Sequence, residues 1–376
     1  NDYHHTTHSR QISASALWNL SYKTTPNHQI SLKNIYSINS EDRVITRRGA
    51  LDATVNTWST ANVRWFTQNN VYSGQLIGDH YFEKPKIKFK WNGGYSNIER
   101  DVPNLSRILR TKTSTEENDD TPYMANIVNG IVITPASGGS MLFLHTLENM
   151  KSLRGDISRT FVIGKTKHDV QVGGSSIFRE RTFTARLLGY SYYTKGISVL
   201  PNGTLAALDD ETIFSQNNLG IVNGPGKYDG GFMVVESTTP SDSYHAFSYT
   251  NAGYLMLDSR FFDSKLRFVY GARYESYRQV FNNPSLAKDT VVNDILPSIN
   301  AVYGVTQKIN IRAAYYRTVA RPEFRELAPF QFQDFTTQLV ISGNPDLKRA
   351  LMDNYDLRFE WFPNAGQIVS LSGFYK

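Results

Sequence analysis

Few side chains in this sequence are spaced for catalysis. His4, His5 and His8 lie close together, and imidazoles near one another in a chain can converge on one cation. No carboxylate cluster accompanies them, so they read as a His-rich loop or terminus, and no metal site is expected. Gly164-Lys165-Thr166 resembles the end of a phosphate-binding loop, but Arg159 stands where that loop needs its upstream glycine. Asp119-Asp120 and Asp209-Asp210 fall in polar connections, where paired acids read as solvated. Neither a zinc-protease helix motif nor a nucleophile elbow occurs. The sequence therefore offers no catalytic residue and no cofactor, and enzyme activity is not expected.

Binding has better candidates. Phe324, Phe330, Phe332 and Phe335 crowd one polar loop together with Arg321 and Arg325. Rings and guanidinium groups on a loop suit either ligand contact or packing of the loop on itself, and the two readings stand level. A second set, Arg267, Arg273, Glu275, Arg312, Asp356, Arg358 and Glu360, occupies one face of segments that alternate like strands. These charges are expected to face a watery lumen, with a ladder of opposite charges as the default arrangement and ligand contact as the alternative.

The stretch from Lys308 to Glu360 positions both sets. In its first segment Ile309, Ile311, Ala313 and Tyr315 oppose Lys308, Asn310, Arg312 and Ala314. In its second, Tyr355, Leu357, Phe359 and Trp361 alternate with Asn354, Asp356, Arg358 and Glu360. Period-two separation of this length belongs to a strand lying between two different solvents. The same grammar recurs along the chain. Ala14, Ala16, Trp18, Leu20 and Tyr22 share a face; Ile87, Phe89 and Trp91 oppose Lys86, Lys88 and Lys90; Leu266, Phe268, Tyr270, Ala272 and Tyr274 oppose Arg267, Val269, Gly271, Arg273 and Glu275. About twelve strands are expected from such patterns. Polar stretches at about 40–62, 92–154 and 191–243 read as long loops, whereas Thr24-Thr25-Pro26-Asn27, Glu83-Lys84-Pro85 and Pro363-Asn364-Ala365-Gly366 read as tight turns. A bulge is expected in the less regular half of the strand that ends near Tyr190. Short and long connections thus alternate, as they do in barrels whose short turns face the periplasm and whose long loops face outside.

Composition agrees with that reading. Of 376 residues, 40% are hydrophobic and 13% aromatic, with 22 Tyr and 21 Phe, an abundance suited to rings at two membrane interfaces. No run of about 18 apolar residues occurs, so a helical span is excluded. The mean hydropathy of −0.40 is compatible with alternating strands, which average to a hydrophilic score. There is no cysteine, which removes disulfides and thiolate metal sites. The net charge of +6 is spread among acids without a basic block, so no nucleic-acid partner is expected.

The run Arg317 to Phe330 (RTVARPEFRELAPF), followed by Gly343-Asn344-Pro345-Asp346-Leu347 and closing on Phe374-Tyr375-Lys376, resembles the barrel of a TonB-dependent outer-membrane receptor of the kind common in Bacteroidetes. Leu296-Pro297-Ser298-Ile299-Asn300 and Tyr270-Gly271-Ala272-Arg273-Tyr274-Glu275 are similar to the strands preceding that run. The resemblance implies a barrel of about 22 strands around an N-terminal plug. It also implies uptake of an iron chelate, cobalamin or an oligosaccharide, energised by the TonB complex through the plug, in the outer membrane of a bacterial cell. Outer-membrane lipid, a small ligand and a surface lipoprotein would be partners, and the inward charges could also touch the plug. Residues 1–376 show no plug or TonB box and are expected to be the barrel portion, an internal piece of a longer barrel. The fold expected is all-β, a partial transmembrane antiparallel barrel. The alternatives are a passive porin or surface adhesin barrel, and a soluble all-β carbohydrate-active protein.

Overall fold

A strand continues for as long as a neighbour accepts its backbone hydrogen bonds, and in this chain nearly every strand has neighbours along most of its length. The computed structural model describes residues 2–52, 56–127, 138–164, 166–192, 209–213, 215–216, 221–222, 228–229, 232–333 and 339–376. Strands β1 (Asp2–Thr25), β2 (His28–Asp52), β3 (Thr57–Phe82) and β4 (Ile87–Thr113) run as successive antiparallel hairpins. The short β5 (Met124–Ala125) pairs with the end of β4, and β6 (Ser140–Ile163) and β7 (Thr166–Tyr192) continue the wall. Beyond β7, β8 (Ile221–Val222) pairs with β9 (Tyr228–Asp229), and β10 (Phe232–Glu236) joins the far end of β7. The wall resumes with β11 (Ser243–Phe261), β12 (Leu266–Asn283), β13 (Leu286–Thr306) and β14 (Ile309–Ala320). A loop carrying β15 (Gln331–Gln333) and β16 (Val340–Ser342) then leads to β17 (Ala350–Trp361) and β18 (Val369–Tyr375). The wall order is β1-β2-β3-β4-β6-β7-β11-β12-β13-β14-β17-β18, twelve strands of an antiparallel partial barrel.

Register carries one apolar face around the whole wall. Leu257 lies opposite Val170 and Tyr270, Tyr270 opposite Ile299, Ile299 opposite Tyr315, and Tyr315 opposite Tyr355. Nothing among the described residues covers this face: Ile295, Leu357 and Leu371 are 65%, 59% and 76% exposed. A contiguous uncovered apolar band of this size is the surface a barrel presents to lipid. Rings mark its two borders. Near the short turns stand Phe82, Phe89, Trp91, Phe261 and Phe268, and further along stand Tyr72, Tyr95, Phe178, Tyr249 and Tyr315, with Phe178 and Tyr249 centred 4.8 Å apart. Tyr72 and Phe82 are ten residues apart on β3, about 33 Å along a strand, or about 25 Å of height after the usual 35–45° tilt. That height matches the apolar band of an outer-membrane barrel.

The strands outrun the lipid. About ten residues cross the apolar band, whereas β4 has 27. Two stretches expected to be long loops, 40–62 and 92–154, are therefore largely strand: β2 and β3 pair up to Asp52 and Thr57, and β4 and β6 pair from Ile87 and Arg159 up to Arg107 and Ser140. The connection after Asn283 is a tight turn before Leu286. Beyond the membrane both faces meet water or loop, so alternation fades from the sequence while the ladder continues. Much of 191–243, including Pro201-Asn202-Gly203 and Gly224-Pro225-Gly226, lies outside the described residues. The bulge expected in β7 is absent, since its register with β6 and β11 is unbroken. Within the wall, register shifts fall instead at Trp65/Gln68 and Val102/Leu105, with others beside turns at Lys23/Thr25, Ala50/Asp52 and Gly304/Thr306.

Candidate functional site

The site is built by the loop between β14 and β17. Pro322 disfavours helical backbone at Arg321, and the chain leaves the sheet there. Glu323 and Glu326 then close a capping box, with the Glu326 carboxylate accepting the Glu323 N–H at 2.8 Å, and one helical turn forms at Phe324–Leu327. The returning chain is zipped to this turn: Gly343 N–H donates to the Ala328 carbonyl at 3.0 Å, and a Cβ at Gly343 would strike that same carbonyl. Only glycine permits so close an approach.

Phe324 is 1% exposed and packs with Tyr244, Phe281 and Leu327, under the guanidinium groups of Arg179 at 5.0 Å and Arg181 at 5.7 Å. Phe330 sits 5.1 Å from Phe183, in a cluster with Ile45, Val63, Leu105 and Leu142. Phe332 lies 6.2 Å from Trp65, and Arg325 covers its ring at 5.3 Å. A loop that leaves β14 and packs on β2, β3, β4, β6 and β7 can do so only where the wall curls around it, which identifies this as the inner face. The structure thus places Phe324 and Phe330 in packing; Phe335 lies outside the described residues.

The second set of candidates shares the inner face. Arg267 pairs with Asp258 at 2.5 Å, Arg273 with Glu275 at 2.9 Å, and Arg312 and Arg358 with Glu360 at 2.8 and 3.1 Å. Asp356 is on the same face, opposite Ala314. Arg321 reaches Glu275 at 2.5 Å and Asp294 at 3.2 Å, with Tyr277 beneath it at 4.5 Å. Asp294 also accepts from Arg349 at 2.7 Å, so one carboxylate holds both ends of the loop.

Between loop and wall lies a cavity of about 290 Å³ lined by Arg100, Glu148, Arg181 and Arg325 with Phe183, Tyr244 and Phe330. Glu148 is already engaged by Arg179 at 2.7 Å and Arg181 at 2.5 Å. Arg100 and Arg325 have no carboxylate partner among the described residues, so positive charge is in excess. Arg325 was legible as a loop residue. Arg100, Glu148 and Arg181 were missed, because they come from three strands far apart in sequence, and only the alternation of β4, β6 and β7 placed them inward.

The remaining sequence candidates have structural roles. His4, His5 and His8 lie on β1 and not in a loop; His4 and His8 share one face and His5 points to the other, so they do not converge. One acid of each pair read as solvated is ion-paired: Lys112 lies 2.5 Å from Asp119 and holds its carboxyl well below the usual range, and Arg110 lies 2.7 Å from Asp210.

An uncovered apolar band between two rings of aromatics, a charged inner face and a loop folded inside define the wall of an outer-membrane type barrel. Residues 149–376 match the family model described as TonB dependent receptor-like, beta-barrel, and the chain belongs to that family of outer-membrane receptors. The fold is similar to the closed form of the ferric-catecholate import receptor Fiu from K12 E. coli, with a TM-score of 0.52, 10% identity and coverage of 97% of this chain and 57% of that one. Also similar are the ferric preacinetobactin receptor BauA from Acinetobacter baumannii (TM-score 0.49, 11% identity, 98% and 53% covered) and the alcaligin receptor FauA from Bordetella pertussis (0.47, 12%, 99% and 50%). The chain thus spans about half the length of these solved proteins. No curated protein matches the sequence.

Proposed function

We propose that this chain is barrel wall of a TonB-dependent receptor of Bacteroidetes type that takes up an anionic ligand, a ferric chelate above all, across the bacterial outer membrane. The plug and its contact with the TonB complex lie outside these residues in this reading, with lipid around the wall and a surface lipoprotein over the loops. The observation that carries it is the inner cavity, where Arg100, Arg181 and Arg325 meet a single carboxylate, Glu148, beside Phe183, Tyr244 and Phe330. Guanidinium groups without carboxylate partners favour a carboxylate- or catecholate-rich chelate over a neutral oligosaccharide, and rings add area for its apolar parts. The function lies in binding and passage, with no chemical step.

The test is binding by the full-length receptor in detergent to a ferric catecholate, cobalamin and a neutral oligosaccharide. A charge-assisted hydrogen bond contributes about 1.5–3 kcal/mol, so Arg100→Ala and Arg325→Ala should each weaken ferric-catecholate binding by about tenfold or more. Unchanged affinity in both variants would remove the cavity from the ligand path, and binding of the oligosaccharide alone would replace the anionic ligand by a neutral one.

A further inference from the structure

On the opposite, outward side of the wall, β4 presents Glu99 and Asp101 at consecutive outward positions, and His145 on β6 is the direct cross-strand partner of Asp101. One ligating atom from each lies within 4.8 Å of the others, and His145 Nδ1 is 2.6 Å from Asp101 Oδ1. Donors at about 2.1 Å from a shared ion are at most about 4.2 Å apart, so small side-chain rotations close the group on a cation. Neither acid has a Lys or Arg partner among the described residues, in contrast to Asp79, Glu148, Asp258 and Glu360 on the same wall. Glu99 accepts one amide hydrogen bond, from Asn70 at 3.3 Å, while the Asn70 carbonyl accepts from Gln68 at 3.4 Å.

The level in the wall is also defined. Glu99 lies opposite Asn70, and Tyr72, two residues nearer the lipid, belongs to the upper belt of rings. The group therefore stands on the outward face just beyond the apolar band, half-exposed, at headgroup height. We propose that Glu99, Asp101 and His145 bind one divalent transition-metal ion of the Zn²⁺ class, clipping β4 to β6 at the outer border of the lipid-facing wall. The imidazole favours such ions over Ca²⁺ or Mg²⁺, and the positions left open face solvent and lipid phosphate. Because the strands fix two of the three Cα positions in direct register, the site is preorganised. It is separate from the inner cavity, and its test is independent of any ligand taken up.

The experiment is calorimetric titration of chelator-stripped full-length receptor in detergent with Zn²⁺ and, separately, Mg²⁺, comparing wild type with His145→Ala, His145→Gln, Asp101→Asn and His245→Ala. His245 is the control, since it pairs with Glu180 at 2.8 Å on β7 and β11, away from the group. The expected result is one equivalent of Zn²⁺ bound in preference to Mg²⁺ and weakened at least tenfold by both His145 variants and by Asp101→Asn, with His245→Ala unchanged. Circular dichroism and heat-modifiable gel mobility identify variants that remain folded. Zn²⁺ binding indifferent to His145, equal loss on His245→Ala, or no preference over Mg²⁺ overturns the proposal and leaves Asp101 and His145 as a hydrogen-bonded pair only.

Discussion

Asp294 is the residue on which the loop most depends. Its side chain is 2% exposed and it accepts from Arg321 and Arg349, the residues at the loop's two ends. Arg321 retains Glu275 when Asp294 is removed, but Arg349 is left near the sheet without its acceptor. Removing one partner of a buried ionic cluster costs about 3–5 kcal/mol, and the one-third exposure of the Arg349 side chain lowers that here to about 2–4 kcal/mol. Asp294→Ala should lower the midpoint of heat-modifiable mobility of the detergent-solubilised receptor, while Arg349→Ala, which leaves Asp294 paired with Arg321, should cost less. Equal mobility of Asp294→Ala and wild type would show that the rings, the Arg321–Glu275 pair and the backbone contacts hold the loop without Asp294. Arg321 stood out in the sequence through the Arg-Pro-Glu run. Of its acceptors Glu275 stood out through the alternation of β12 and Asp294 did not, and their meeting with Arg321 shows only through register.

At the scale of elements, legibility follows the solvent. Where β1, β4, β12, β14 and β17 cross the apolar band, one face sees lipid and the other the lumen, and period-two patterning announces each strand. Above the band the difference between faces disappears, and the upper halves of β2, β3, β4 and β6 read as loops. The short β10, whose Phe232 is fully buried, shows what is added to apolar burial there. It is held on β7 by backbone pairing and by Glu236, whose carboxylate accepts from Arg186 at 2.8 Å and from Thr238 at 3.0 Å. Arg186, then Thr238, bring the Glu236 carboxyl down from 4.5 to about 2. A depressed folded-state value means that the pairing contributes fully above the unfolded value and is lost as pH falls through the folded one. Amide exchange protection across Phe232–Glu236, corrected for the intrinsic rate, should therefore hold above pH 4.5 and decline as pH falls toward about 2. Glu236→Gln should lose this dependence; protection that falls equally in both proteins would assign the effect to other groups.

For the whole molecule, the decisive question is which side of the wall meets lipid, and adjacent residues on β11 answer it. Leu255 is 48% exposed on the uncovered face, opposite Val172 and Ala272, while Met256 points inward, opposite Gln171 and Gly271. Leu255 stands six residues from both Tyr249 and Phe261, the rings that border the band on β11, and so lies near mid-membrane depth. An arginine on the lipid face at that depth costs about 2–4 kcal/mol, because it must carry its charge into hydrocarbon or deform the bilayer around it, whereas an inward arginine keeps its water. In lipid vesicles Leu255→Arg should therefore destabilise the refolded full-length receptor by about 2–4 kcal/mol and Met256→Arg by less than about 1 kcal/mol, read from denaturant titration of tryptophan fluorescence. The reverse order would mean that the apolar face is the inside of a different assembly, with the loop Phe324–Leu327 and the Arg100 cavity on its outside. A one-residue shift in register exchanges the two faces everywhere at once, so this pair of variants tests the assignment of every residue to lipid or lumen around the twelve-stranded wall.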